Sequence, residues 1–303
     1  MGTEKEPKSY NLFGEAVTSN KDILRGKFIE PPFSVLDTKT ASWQKRKREW
    51  LSLGLESEKG RDEHLLFDTK NKDNEFAQML AEIGGTSIFD PALCELLYHW
   101  FCPKHGTVLD PFSGGAVRGI VANYMGFRYT GIDIRMEQVK ENRAQAKLIL
   151  EENNQPTWIC GDAKESLFSE WSDEPKLGER FDFILSCPPY WNLEVYSDNP
   201  KDISNMSYEK FIGIYSEIIK HACIHLKRGK FACFVVGEVR DEKGIYVGFV
   251  PDTIRAFRDA GCDFYNEAIL LNVIGTASVR AGNYMKNHKL AKIHQNVLVF
   301  QKR

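Results

Sequence analysis

The sequence has no C-x-x-C pair, no long apolar run, no internal repeat and almost no net charge. Each absence excludes something. The seven cysteines, Cys94, Cys102, Cys160, Cys187, Cys223, Cys233 and Cys262, are scattered and odd in number. That argues against a disulfide framework and against a structural zinc site, and it fits a reducing compartment. No metal is expected. No apolar run approaches the length of a membrane span, and the opening MGTEKEPKSYNLFGEA lacks the apolar core of a signal peptide. A cytoplasmic chain without a membrane partner is expected. Lys and Arg number 40 against 42 Asp and Glu, a formal net charge of -2, so no global basic field advertises nucleic acid. A nucleic-acid surface would have to be a local patch.

What is present is a chain of 303 residues, 42% hydrophobic and 27% charged. That length buries a substantial core, in one large or two medium domains. Residues 1–85 are polar and irregular and read as an N-terminal extension. Within them, PPFSVLDTKTASWQKRKREWLSLGL offers an extended piece and then a charged helical segment with Trp43 and Trp50. Lys45, Arg46, Lys47 and Arg48 form a basic cluster there. It reads either as a solvated helix face or as a phosphate contact seated by the flanking tryptophans.

Residues 86–303 change character. SIFDPALCELLYHWF reads as a helix with Asp90 as N-cap and Pro91 in the first helical position. Apolar runs then alternate with helical patterns. GTVLDPF, RYTGIDI, TWICGDA, FDFILSCPPY and KFACFVVG read as strands, and EAILLNV and NVLVFQK as a closing pair. MEQVKENRAQAKLILEEN, SYEKFIGIYSEIIKHACIHLKRG and VPDTIRAFRDAG read as the amphipathic helices among them. The alternation predicts an α/β, Rossmann-like, doubly wound and mostly parallel sheet of seven strands, with helices on both faces.

Ligands of such sheets lie at the carboxyl ends of the strands. The first strand ends at Asp110 and passes through Phe112 to the turn glycines Gly114 and Gly115, which allow close backbone approach to a ligand. Asp133 ends the second strand, about 20 residues on, where a ribose acceptor belongs. Asp162, with Ala163 beside it, follows the third. Each carboxylate alone reads as a helix cap or an ordinary strand end. Three at consecutive strand ends suggest a nucleoside ligand with an amino-acid or other cationic tail. The fourth strand ends in SCPPYW: Pro188 and Pro189 stop the ladder, and a stiff loop presents Tyr190 and Trp191, whose rings suit a nucleobase.

VLDPFSGGA, GIDI, GDA and Pro-Pro-Tyr, in that order over residues 87–303, resemble the S-adenosylmethionine-dependent DNA amino-methyltransferases, which make N6-methyladenine or N4-methylcytosine. The resemblance implies a class I methyltransferase fold, S-adenosylmethionine as cofactor and DNA as partner, with RNA left open. It implies that Asp110, Phe112 and Gly114 hold the methionine part, Asp133 the ribose and Asp162 the adenine amino group. Pro188, Pro189 and Tyr190 would hold a target base flipped from the duplex. A restriction enzyme is a conceivable companion of such a protein. Two positions depart from the pattern. Ala116 stands where the family has a second glycine. Cys187 stands where it has Asp, Asn or Ser, the residue that accepts from the target amino group; a thiol is a weak acceptor. Three readings stay open: the Pro188 carbonyl does the work, Ser186 serves instead, or Cys187 is a nucleophile of the kind used in pyrimidine carbon-5 methylation. A non-catalytic nucleic-acid binder on a methyltransferase scaffold is a further alternative.

Two loops complete the reading. NLEVYSDNPKDISNMSYEKF, after the motif, is placed to act as a lid. GTASVRAGNYMKNHKLAKIHQ, between the last two strands, carries Arg280, Lys286, Lys289 and Lys292 and no acid, and reads as a positive loop for phosphates.

Overall fold

The computed structural model describes residues 25–55, 89–169, 180–191, 201–272 and 277–303. The chain divides into two compact units, Met1–Phe33 and Ser34–Arg303. In the first, residues 25–28 are helical and Arg25 pairs with Glu30 at 3.2 Å.

The second unit is built on one sheet. In chain order its elements are β1 (Val35–Asp37), α1 (Ala41–Leu51), α2 (Pro91–Phe101), β2 (Thr107–Asp110), α3 (Val117–Tyr124), β3 (Arg128–Asp133), α4 (Met136–Ile149), β4 (Thr157–Cys160), α5 (Ala163–Ser169), β5 (Phe181–Ser186), α6 (Tyr208–His225), β6 (Leu226–Val236), α7 (Phe249–Asp259), β7 (Cys262–Leu271), α8 (Ala277–Met285) and β8 (His294–Lys302). The strand order is β1-β7-β8-β6-β5-β2-β3-β4. Every neighbouring pair is parallel except those made by β8, which runs antiparallel between β6 and β7. This is a Rossmann-like, mostly parallel α/β sheet. Among the described residues no helix is long and apolar enough to cross a membrane.

One expectation needs correction. The sheet has eight strands rather than seven, because Val35–Asp37 pairs with Ile269–Leu271 on the outer edge of β7. Three residues are too few to show an alternation. Only Leu36 of the three is buried, and the Thr38 hydroxyl extends the join by donating to Leu271 O at 2.7 Å. Residues 34–55 belong to the same compact unit as the sheet. Trp43 and Trp50 of α1 are buried, and their indole N–H groups donate to Asp90 at 3.1 Å and Glu95 at 2.8 Å.

The helix ends follow local chemistry. Asp90 caps α2 by accepting from Ala92 N at 2.9 Å, with Pro91 behind it at a position that needs no donor. Leu93, Cys94, Leu96, Leu97 and Tyr98 of that helix are buried, so little of its circumference meets solvent. Elsewhere the core is aromatic: Phe257 stacks on Phe300, and Phe211 on Tyr215, which also meets Phe249. Each such ring contributes about 1.5–3 kcal/mol by burial. The segment expected to form a lid lies partly outside the described residues, at 192–200. The positive loop contains a helix, α8, in which Ala277 is buried while Ala281 and Met285 are exposed.

Candidate active site

Asp110, at the tip of β2, is fully buried and saturated with donors. One carboxylate oxygen accepts from Arg118 Nε at 2.6 Å and Tyr129 Oη at 2.8 Å; the other accepts from Ser186 Oγ at 2.5 Å and Phe112 N at 3.2 Å. The Arg118 Nη2 group reaches back to Phe112 O and Ser113 O, both at 2.8 Å. The β2–α3 turn is therefore wrapped around one buried ion pair. Gly114 within it has φ 48, and a Cβ there would meet nothing within 4 Å. Backbone conformation, not crowding, asks for glycine. Gly131 is the opposite case: a Cβ would come within 2.7 Å of Ser113, so glycine lets the turn lie against β3.

A cleft of about 290 Å³ opens beside this turn. Phe112, Gly114 and Gly115 line it, and so do Asp133, Asp162 and Ala163. Asp133 also makes a local turn, accepting from Arg135 N at 2.8 Å. Burial pushes its carboxyl up to about 6, against the lowering effect of Arg135 and of the Gly114 N–H. Asp162 caps α5, accepting from Lys164 N at 2.8 Å. Both carboxylates are thus caps or turn-formers and cleft walls at once. Asp110 differs, because it stands behind the wall and acts through Arg118.

The Pro-Pro-Tyr loop forms the opposite wall, with Cys187, Pro188, Pro189 and Tyr190 all lining the cleft. Tyr190 is pinned by its hydroxyl, which donates to Val235 O at 3.2 Å and accepts from Gln295 Nε2 at 2.7 Å. Cys187 Sγ lies 3.7 Å from the same oxygen. Val235 O takes the one phenolic proton, so the thiol is left as a donor to Tyr190. Ser186 is buried and is absent from the cleft lining, and its hydroxyl donates to Asp110. Trp191 also departs from expectation. Its backbone has φ 49, its indole donates to Met206 O at 2.9 Å, and its ring meets Tyr208 edge-on at 5.4 Å, away from the cleft lining.

Among the lining residues not singled out by motif are Phe89, Arg118, Gln138 and Gln295. Arg118 did leave a signal, since a charge inside VRGIVANY needs a buried partner. Gln138 donates to Asn142 Oδ1 at 2.9 Å, and Asn142 Nδ2 to Gly114 O at 2.7 Å, which holds the glycine turn from α4.

The basic residues divide. Arg46 pairs with Glu95 at 2.7 Å and Lys47 with Asp90 at 3.4 Å, so half of the α1 cluster is committed to α2. Lys45 and Arg48 remain exposed, as does Lys286. Lys289 lies over Gly244. Lys292 is half-buried, burial lowers its pKa, and a Cβ on Gly237 would lie 3.6 Å from its Nζ and 3.3 Å from the Tyr190 ring. It therefore borders the Pro-Pro-Tyr wall. The Arg280 side chain lies outside what the structure describes.

No protein-family model matches the chain, and no curated protein sequence matches it. Solved structures resemble it at low identity. Magnesium protoporphyrin IX methyltransferase from Synechocystis PCC 6803, with SAM bound, is 13% identical over 95% of this chain and 100% of that one, with a TM-score of 0.45. A candidate RNA methyltransferase from Pyrococcus horikoshii is 13% identical over 85% and 96%, with a TM-score of 0.45. A candidate DNA modification methylase from Thermus thermophilus is 19% identical over 46% and 50%, with a TM-score of 0.33. At such values a likeness carries no argument about activity.

Proposed function

We propose that the chain is an S-adenosylmethionine-dependent methyltransferase that modifies an exocyclic amino group of a base flipped out of DNA, adenine N6 or cytosine N4. One observation carries this: Gly114, Asp133 and Asp162 share a single cleft with Pro188, Pro189 and Tyr190. The cofactor fits the residues present. Desolvation raises the part-buried Asp133 carboxyl above its ordinary value, and a ribose diol would bring it two further donors. The open side of Gly114 admits close approach of a ligand.

When bound, the cofactor supplies an electrophilic methyl group on a sulfonium. The rest of the account belongs to the chain. Asp133 accepts from the ribose hydroxyls and Asp162 from the adenine amino group. Tyr190, fixed by Gln295 and Val235, offers a ring face to the target base. With Ser186 turned to Asp110 and the Cys187 thiol given to Tyr190, the Pro188 carbonyl is the acceptor that draws on the target amino hydrogens. The amino nitrogen attacks in line, and the proton it loses passes to solvent. Rate enhancement comes from position and oriented acceptors, with no covalent enzyme intermediate.

A second reading has one observation in its favour. Arg118 lies close enough to Cys187 for the two to interact electrostatically, and a nearby cation assists a thiolate nucleophile for pyrimidine carbon 5. The test of substrate class is transfer of labelled methyl to unmethylated duplex DNA, to RNA of the same sequence, and to neither. Label retained on DNA is expected. Label on RNA alone would move the substrate to the other polymer, and cofactor binding without transfer to either would remove the nucleic-acid reading.

A further inference from the structure

One hydrogen-bonded chain crosses three neighbouring strands at the Pro-Pro-Tyr wall. Tyr190 stands just past the end of β5, β6 supplies Val235 O, and β8 supplies Gln295. β8 runs antiparallel to β6, so its first residues stand where the parallel strands finish. That puts Gln295 at the ligand edge of the sheet, and it lines the cleft.

The chain has a fixed polarity. A backbone carbonyl only accepts, so the phenolic proton of Tyr190 goes to Val235 O at 3.2 Å. Tyr190 Oη then accepts from Gln295, whose amide presents Nε2 to it at 2.7 Å. Turning the amide over would set Gln295 Oε1 against an oxygen with no proton left to give. Oε1 is thereby held away from Tyr190, and among the described residues it accepts no hydrogen bond. An amide oxygen has two lone pairs for donors.

The target amino group calls for such an acceptor. It carries two hydrogens, and where base and protein exclude water each needs a partner. Pro188 O serves one. On the same wall Ser186 is absent from the lining, and the Cys187 thiol faces Tyr190. The carboxylates of the lining are engaged by backbone N–H groups: Asp133 by Arg135, Asp162 by Lys164 and Asp202 by Ser204.

We propose that Gln295 Oε1 is the second acceptor, receiving one hydrogen of the target amino group while Pro188 O receives the other. It takes over, from the last strand of the sheet, a duty that a thiol at 187 does not perform. This rests on the amino-transfer reading above and adds a catalytic residue that none of the motifs contains. Acceptors on both hydrogens raise the electron density on the nitrogen as it attacks. The N–C bond forms as the S–C bond breaks. The surplus proton of the nitrogen leaves to solvent, because an amide carbonyl accepts a hydrogen bond but is too weak a base to keep the proton.

Labelled-methyl transfer to mixed-sequence duplex DNA, measured for Gln295→Leu in the wild-type and in the Tyr190→Phe background, separates this role from pinning of the Tyr190 ring. Gln295→Leu is expected to lower kcat about 10- to 100-fold. Its affinity for S-adenosylhomocysteine by calorimetry is expected to stay unchanged, which also shows that the variant is folded. In the Tyr190→Phe background the same substitution is expected to cost a further factor of about five or more. No further loss there overturns the proposal, since Gln295 would then act only through the Tyr190 hydroxyl. A wild-type kcat in Gln295→Leu overturns it too. Gln295→Glu keeps an acceptor of the same length and decides the matter where Gln295→Leu fails to fold. It is expected to hold kcat within about five-fold of wild type, and a loss of about ten-fold or more overturns the proposal. Wild-type label on carbon 5 of a pyrimidine, or no label at all, is a failure of the amino-transfer reading itself and removes the proposal with it.

Discussion

Ser186 Oγ lies 2.5 Å from Asp110 Oδ1, and this bond joins the tips of β5 and β2. One tip carries the Pro-Pro-Tyr loop and the other the glycine turn. The two strands are neighbours in the sheet, paired through Val108–Phe183 and Leu109–Ile184. The bond continues that pairing past the ladder, so the two walls of the cleft are held in register by a buried polar contact rather than by loop packing alone.

Asp110→Ala follows from this directly. It strands the Arg118 guanidinium, buried, without its carboxylate. Breaking one partner of a buried pair costs about 3–5 kcal/mol. Urea unfolding should show a lower midpoint with an unchanged slope, and affinity for S-adenosylhomocysteine should fall as the turn loosens. A variant as stable as wild type would show that Asp110 is not the organiser described here.

Tyr190 separates ring from hydroxyl. Tyr190→Phe keeps the face but frees Gln295 and Val235 O, an expected cost of about 1 kcal/mol in stability and a several-fold loss in transfer. Tyr190→Ala should lose transfer far more severely, with cofactor affinity nearly unchanged in both. Steady-state rates beside calorimetry check the split; a large loss of cofactor affinity in Tyr190→Phe would place the ring on the wrong ligand.

Asp133 predicts a pH dependence. Its folded carboxyl is raised from 3.8 to about 6 by burial, so the ligand-free protein holds a proton there that the unfolded chain has released. The associated stability is present below about pH 4 and is lost as pH rises through about 6. Asp133→Asn should therefore gain stability relative to wild type at pH 7 and not at pH 4, read by thermal melts of the ligand-free protein. Nucleoside affinity should run the other way, rising through about pH 6 as the carboxylate ionises, and Asp133→Asn should be flat. A flat wild-type profile would contradict the ribose role.

The basic residues are predicted to fall into two classes. Neutralising Lys286, Lys289 and Lys292 together should lower the salt slope of DNA binding by up to about 3, near 0.9 for each phosphate that is no longer neutralised. Arg46→Ala should instead lower stability by up to about 1 kcal/mol, since its partner is Glu95, and leave the slope unchanged. Equal slope changes in both sets would return the α1 cluster to the interface.

The legible part of the fold was the part written in long apolar runs. VLD, RYTGID and FDFILS each end on a residue that marks the sheet's carboxyl edge, so the order of the cleft walls could be read from motif order. β1 could not, because three residues carry no period and only pairing with β7 shows their place. Direction was the harder quantity. Tyr190 and Trp191 are adjacent aromatics, yet one lines the cleft and the other is taken away by Met206 O, fifteen residues on. The KRKR run was ambiguous for a similar reason: the acids that engage Arg46 and Lys47 sit on another helix more than forty residues away. For Asp110 and Ser186, spacing shows that two polar groups stand at strand tips but not that they face each other.

The most direct measurement is the identity of the methylated atom. The protein is incubated with methyl-deuterated S-adenosylmethionine and mixed-sequence DNA, the DNA is digested to nucleosides, and the labelled nucleoside is identified by mass spectrometry, with Cys187→Ser run in parallel. The account predicts label on adenine N6 or cytosine N4 and an active Cys187→Ser. Label on carbon 5 of a pyrimidine, abolished in Cys187→Ser, would contradict it and make the thiol the nucleophile.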